Sequence, residues 1–374
     1  TRRIRELVAS TGVTEGYGLY LGAPTTDVLS ALARESQLQW SCPVEGPVPD
    51  TTRKRLADAG LYGTRVTIHG VTTGRLPYTD YMGNAIILPV AAASDLDRLA
   101  AADLYRVLRP WGGVAVIACV ETLKEAVAAW LKNSNIPATE IERAAPGFRV
   151  TRGPLTGAGK WTHQYADAGK SGASQDERVR LPLKVLWFGS LGPGDAVSRH
   201  YRGPAPLAVN GRMFVAGNQF LQAVDAYNGR VLWKRELPGV GRWPMPYRGG
   251  SIAADDDSDY ALQGTTCLRL DAATGKTRTA YAPPTGWKAS LKDVPSFAKK
   301  RKGGLEVNNA PAWEYLAVTH DAIIGTIGLP NVRPSWWSHA HPANGLLFVL
   351  EKKTGKLRWT YEPESVVDSN AIAV

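Results

Sequence analysis

The chain of 374 residues has only three cysteines and three methionines. Its longest apolar runs, Val114–Val120 and the stretch 84–93, fall far short of the roughly 18 residues that a membrane-crossing helix needs. Cys42, Cys119 and Cys267 are widely separated and form no C-x-x-C pair. Neither a zinc site nor a disulfide framework is supported. G-x-S-x-G, H-E-x-x-H and the P-loop are missing, so hydrolase and nucleotide-hydrolysis chemistry has no starting residue. The chain opens at Thr1 with neither Met nor an apolar leader. Compartment cannot be read from a targeting segment, and a mature form or fragment is expected.

What is present is a globular composition, 44% apolar and 21% charged, long enough for two domains. The net charge of +10 is uneven. Residues 1–150 hold 16 Lys and Arg against 15 Asp and Glu, and the remainder hold 28 against 19. Much of the excess lies in Lys288, Lys292, Lys299, Lys300, Arg301 and Lys302, with Asp293 the one acid among them. A solvated basic insertion is expected, with contact to an anionic surface as the other reading and no specific nucleic acid.

The two halves differ in period. In residues 1–150, helical spacing marks Arg2–Ser10, Thr26–Glu35, Asp50–Ala59, Ser94–Leu108 and Thr122–Asn133. Apolar runs at Tyr17–Leu21, Leu38–Val44, Arg65–Gly70, Asn84–Pro89 and Val114–Val120 alternate with them. This alternation predicts a doubly wound α/β sheet covered on both faces. Ligands of such sheets sit beyond the strand ends at the switch point, which directs attention to Gly22–Asp27.

From about Gly153 the helical period disappears. Tryptophans rise from three in residues 1–160 to nine in residues 161–374. Three segments repeat one another: 223–233, 268–276 and 348–359. Each is an apolar strand, a turn ending in Asn-Gly or Thr-Gly, and a second strand. The repeat residues are Asp225, Gly229 and Trp233, then Asp271 and Gly275, then Gly355 and Trp359, with Glu351 in the acidic place. Thr279 or Ala280 stands near the Trp place of the second copy. The spacing predicts four-stranded propeller blades over Pro206–Leu237, Gly250–Pro283 and Trp313–Pro363, with Ser369–Val374 as the first strand of a fourth. Closed propellers need more blades, so a longer natural protein is expected.

The signature A-x-D-x-x-T/N-G-x-x-x-W resembles the repeat of quinoprotein-type (PQQ-like) β-propellers, a group that includes BamB-kind outer-membrane assembly lipoproteins and quinoprotein alcohol dehydrogenases. The resemblance covers residues 160–374. It implies that each Trp docks on a neighbouring blade, that each turn Gly takes positive φ, and that PQQ is a possible cofactor. Vicinal cysteines, frequent in quinone-binding members, are absent.

The first half is similar to class I S-adenosylmethionine (SAM)-dependent methyltransferases: a leading helix, a strand, a glycine turn, an acidic residue ending the second strand, and Leu108–Gly113 before the fifth. Such a family's first turn reads G-x-G-x-G; here it reads Gly22, Pro24 and Thr26. Glu45 matches the ribose-holding acid, whereas Thr72 and Leu88-Pro89 stand where further contacts are expected. The implication is a degenerate module that has lost SAM, with Gly22 and Glu45 the binding residues if it has not.

The expected organisation is therefore an α/β plus all-β chain. Residues 1–152 form a Rossmann-like methyltransferase-like domain, 153–205 a linker with the first propeller strands, and 206–374 an incomplete propeller of about three four-stranded blades. Segment 161–165 joins the modules. His200, Trp336, Trp337 and His339 form a possible surface for a protein or polysaccharide partner. His339 and His341 lack a third ligand at metal spacing, and Asp255–Asp257 reads as a solvated turn. The expected function is binding or scaffolding, with a PQQ-dependent oxidoreductase or an active methyltransferase as alternatives. Propeller family habit favours an extracytoplasmic, bacterial setting.

Overall fold

The structure, a computed structural model, describes residues 2–47, 50–71, 74–189, 195, 204–238, 250–287, 312–328, 344–364 and 367–374. Two compact units are resolved: 1–156 with 184–188, and 157–183 with 189–374.

The first unit holds helices α1 (Arg2–Thr11), α2 (Thr26–Glu35), α3 (Asp50–Asp58), α4 (Ala101–Val107) and α5 (Lys124–Lys132). Its strands are β1 (Glu15–Tyr20), β2 (Gln37–Glu45), β3 (Val66–Val71), β4 (Ala85–Val90), β5 (Val114–Cys119), β6 (Ile141–Ala144) and β7 (Gly147–Thr151). They form one sheet in the order β3-β2-β1-β4-β5-β7-β6. β1 to β5 are parallel, and β7 runs antiparallel to both neighbours. This is a Rossmann-like doubly wound order with its switch point between β1 and β4.

Successive strand residues face opposite layers. Ala85 and Ile87 of β4 pack with α1, α2 and α3 side chains such as Leu7, Leu32 and Leu56. Ile86 and Leu88 pack with Leu104 of α4 and Val127 of α5. The burial of both faces explains why these strands read as continuous apolar runs.

Two elements differ from the sequence expectation. The single helix over Ser94–Leu108 is broken: a 3₁₀ turn covers Ala93–Arg98, Leu99 is extended, and α4 starts at Ala101. Asp95 accepts from Ala91 N (2.8 Å) and Ala92 N (2.9 Å), tying its carboxylate to the turn's start. Trp130 Nε1 donates to Leu99 O at 2.9 Å, so that carbonyl is committed outside any helix. The β6–β7 hairpin is additional to the expected strands. β6 is a polar edge strand, Ile-Glu-Arg-Ala, with little apolar alternation to reveal it.

The second unit holds three antiparallel four-stranded blades, ordered β11-β10-β9-β8, β12-β13-β14-β15 and β16-β17-β18-β19. The first comprises β8 (Leu207–Val209), β9 (Arg212–Ala216), β10 (Phe220–Asp225) and β11 (Val231–Glu236). The second comprises β12 (Ile252–Ala254), β13 (Ser258–Gln263), β14 (Thr266–Asp271) and β15 (Thr277–Tyr281). The third comprises β16 (Ala312–Val318), β17 (Ala322–Gly328), β18 (Asn344–Glu351) and β19 (Leu357–Tyr361).

β12 lies beside both β8 and β16. One apolar core joins the first blade to the second, around Phe214, Leu221, Ala261 and Leu270. Another joins the second to the third, around Tyr260, Trp313, Leu316 and Phe348. Ser369–Ala371 is a 3₁₀ turn and not the strand expected there. Asp368 holds that turn by accepting from Asn370 N at 2.9 Å.

Candidate functional site

In the first unit the candidate site lies at the carboxyl ends of β1, β2 and β4. Leu21 N still donates to Ile87 O at 2.9 Å, holding the exit of β1 against β4. The chain then turns through Gly22 to Thr25, whose hydroxyl caps α2 by accepting from Val28 N at 3.3 Å. A cleft of about 570 Å³ opens there, lined by Gly22, Pro24, Glu45, Arg75 and Arg98 among others. Gly22 and Glu45 thus line one cavity, Glu45 being exposed at the end of β2. Thr72 and the suggested surface residues His200, Trp336, Trp337 and His339 lie outside the described residues, as does the basic stretch 288–302.

The turn is crowded from within. A methyl group on Gly22 would stand 2.7 Å from Tyr20 Oη and 2.9 Å from Pro89 Cγ. Tyr20 is 5% exposed, and burial raises its phenol above the ordinary range. Glycine at this turn therefore serves close packing against Tyr20 and Pro89, the role a ligand has in cofactor-binding turns. Nothing in the spacing of glycines alone discloses this, because it depends on a ring two residues earlier and on a strand far away in sequence.

The far wall of the cleft is the connection from β3 to β4, which α4 pins. Arg106 Nη1 donates to Tyr78 O (2.7 Å) and Asp80 Oδ1 (2.8 Å), and its Nη2 donates to Leu76 O (2.9 Å). Asp103 Oδ2 accepts from Leu76 N at 2.6 Å. Asp95, also in the cleft lining, is held below the usual carboxylate range by the Ala92 and Ala91 amides.

A polar chain missed in the sequence crosses β2 and β3 near that wall. Thr67 Oγ1 donates to Ser41 Oγ at 3.2 Å, Ser41 Oγ lies 3.0 Å from Tyr78 Oη, and Tyr78 Oη lies 2.9 Å from His69 Nε2. Burial lowers the His69 pKa and raises that of Tyr78. With His69 neutral, each hydroxyl donates to the next group and the ring proton sits on Nδ1. Thr67 and His69 are two apart on a strand, which was a visible signal. Tyr78 arrives from a loop, which was not.

In the second unit the repeat residues occupy equivalent places. Gly229, Gly275 and Gly355 have φ of +73°, +69° and +72°. Each turn glycine N–H donates to the carbonyl of the acidic residue, Asp225, Asp271 or Glu351, at 2.9, 2.8 and 2.8 Å. Glu351 therefore replaces Asp without altering the turn.

Trp233 Nε1 donates to Ala272 O of the second blade at 3.0 Å. The second blade docks through Tyr281, whose hydroxyl donates to Lys352 O at 2.7 Å; Thr279 and Ala280 are exposed. Trp359, expected to dock as well, is 49% exposed.

Segment 161–163 runs along the first strands of all three blades. Trp161 exchanges backbone bonds with Ala208 (2.9 and 2.8 Å), Thr162 O accepts from Ala254 N (2.8 Å), and His163 Nε2 accepts from Val318 N (3.0 Å). Ala168 O then accepts from Val374 N at 3.1 Å. His163 Nδ1 lies 2.8 Å from Thr162 Oγ1, so the neutral ring donates there and accepts at Nε2. Burial lowers the His163 pKa to about 4, opposed in part by Asp167.

Among the described residues, no group of three His, Cys, Asp or Glu side chains converges as metal ligands would. Among the described residues, no helix is long and apolar enough to cross a membrane.

A family model described as outer membrane protein assembly factor BamB matches residues 153–372. A search of curated proteins finds no match. Among solved structures, BamB from Moraxella catarrhalis is 18% identical, covering 41% of this chain and 33% of that one, with a TM-score of 0.23. The chain thus spans about a third of that protein's length. A putative SAM-dependent methyltransferase from Methanococcus maripaludis is 18% identical over 41% of this chain and 84% of that one, TM-score 0.27. A SAM-dependent methyltransferase from Aquifex aeolicus is 14% identical over 40% and 87%, TM-score 0.30.

Proposed function

The chain belongs, through residues 153–372, to the family described as outer membrane protein assembly factor BamB, and on that premise we propose that it is a binding or scaffold protein whose propeller blades present surfaces to a protein partner. Residues 153–205 and 206–374 serve this role together, because segment 161–163 ties the first strands of the three blades to one another. Residues 1–152 are a methyltransferase-like module that does not use SAM.

The observation that carries the second part is the packing at Gly22. Binding at that turn requires the cofactor to approach a backbone without Cβ. Tyr20 and Pro89 already lie where a methyl group on Gly22 would go. A ligand taking that place beside Gly22 would have to move Tyr20, which is buried.

The cleft of about 570 Å³ that Gly22 and Glu45 line favours a second reading, an active SAM-dependent methyltransferase. Calorimetric titration of the full chain with SAM decides between them. No binding heat is expected. Micromolar binding that Glu45→Ala abolishes would overturn the inert-module reading. An extracytoplasmic setting accompanies the scaffold reading, and a reporter fusion that stays cytosolic would count against it.

A further inference from the structure

One acid of the second blade stands where the other two blades place an apolar side chain. Asp259 of β13 lies opposite Leu270, the residue before the turn acid Asp271. The same register position holds Met213 in the first blade, opposite Val224, and Ile323 in the third, opposite Leu350. Asp259 is 0% exposed, and neither of its carboxyl oxygens has a hydrogen-bond partner.

Register and strand alternation fix what it faces. Its cross-strand neighbours Ala254 and Leu270, and Ala261 two residues along β13, belong to the apolar core that joins the first blade to the second. Phe214, Leu221 and Ala223 contribute to that core from the first blade. The charged groups around it are committed elsewhere. Asp255, in the turn before β13, accepts from Tyr260 Oη at 2.8 Å and pairs with Lys352 at 2.7 Å. Arg269 of β14 lies opposite Tyr260, hence on the other face of the sheet, and donates to Ser258 Oγ (2.8 Å) and Asp257 Oδ1 (3.3 Å). On the first blade, Arg212 and Asp225 stand opposite each other, and both are engaged. The Cys267 thiol of β14 is buried, which raises its pKa and keeps it neutral.

We propose that Asp259 is a proton-dependent latch between the first and second blades: the joint stays closed while the carboxyl keeps its proton and loosens when the proton passes to water. Ionising the group in place would strip a charge of water without replacing its hydrogen bonds, which costs far more than burying the neutral acid. Burial accordingly raises its pKa well above the ordinary range; Asp255 adds to this, and the adjacent Tyr260 amide opposes it. Once the joint opens and water reaches the carboxyl, it ionises above about pH 4. The closed joint is therefore favoured in full below that value and loses its advantage as pH rises towards the raised pKa of the closed form. This device stands apart from the binding or scaffold role, and its failure would leave the SAM titration untouched.

The test compares the full chain with its Asp259→Asn and Asp259→Ile variants, the second matching the third blade. Hydrogen exchange over residues 252–263 is followed by mass spectrometry from about pH 5 to about pH 9. Each variant is set against wild type at the same pH, which cancels the intrinsic pH dependence of exchange and the titration of His163. The opening constant of wild type relative to either variant should rise with pH, by up to about tenfold per pH unit for one proton. At about pH 6 the infrared difference spectrum between wild type and variant should show the band of a protonated carboxyl. Should one variant fail to fold, the other gives both readings. Exchange profiles that run parallel in wild type and variants, or a difference spectrum without that band, would overturn the proposal.

Discussion

The indole of Trp233 lies flat enough on Gly275 that any Cβ there would come within 2.7 Å of Cδ2 and Cε3. The same glycine has φ +69°, a conformation that side chains resist. Space and backbone therefore demand glycine for separate reasons.

Gly275→Ala should accordingly destabilise the blades by about 3 kcal/mol, combining strain at positive φ with overpacking against the ring. Denaturant unfolding followed by tryptophan fluorescence measures it. Trp233→Phe keeps most of the packing but leaves Ala272 O without its donor, and should lose about 1 kcal/mol. If Gly275→Ala is as stable as wild type, the ring does not bear on the turn as described.

His163 makes the blade unit acid-sensitive. Its folded pKa is about 4, while the unfolded imidazole titrates near 6.5. Between those values the unfolded chain binds a proton that the folded ring refuses. The contribution is complete above the upper value and lost as pH falls towards the lower one, amounting to about 3 kcal/mol at most. Glutamine can still accept from Val318 N but does not titrate. The stability advantage of wild type over His163→Gln should therefore shrink as pH falls from 7 to about 4.5. A constant gap would show that the ring does not stay neutral.

Tyr78→Phe tests the chain through His69. The Tyr78 hydroxyl donates to Nε2 only when the ring is neutral, so it favours the uncharged form along with burial. Removing it should raise the His69 pKa, read from the pH dependence of its ring proton resonances. A fall in pKa, or none at all, would mean the hydroxyl points elsewhere.

Local pattern explains what was legible beforehand. The α/β unit could be read because each β1–β5 strand is an apolar run and four of the five helices carry their own spacing. The broken helix before Pro110 could not, because the break depends on Trp130 reaching Leu99 O from a different helix. The blades were legible through their turns, where Gly229, Gly275 and Gly355 answer to a backbone requirement that short sequence displays. The Trp place of the second copy holds Thr279 or Ala280, and the ring that docks is Tyr281, which strand alternation puts on the same face as Thr279.

The sequence by itself determined the two architectures, the turn positions and the pairing of Gly22 with Glu45 at one strand-end region, because periodicity and positive-φ demands are properties of neighbouring residues. Only the tertiary structure decided that Tyr20 and Pro89 crowd Gly22, that residues 161–163 bind the first strands of three blades, and that Trp359 and Tyr361 face outward. Those are encounters between segments distant along the chain, and their distances exist only once the backbone has closed upon itself.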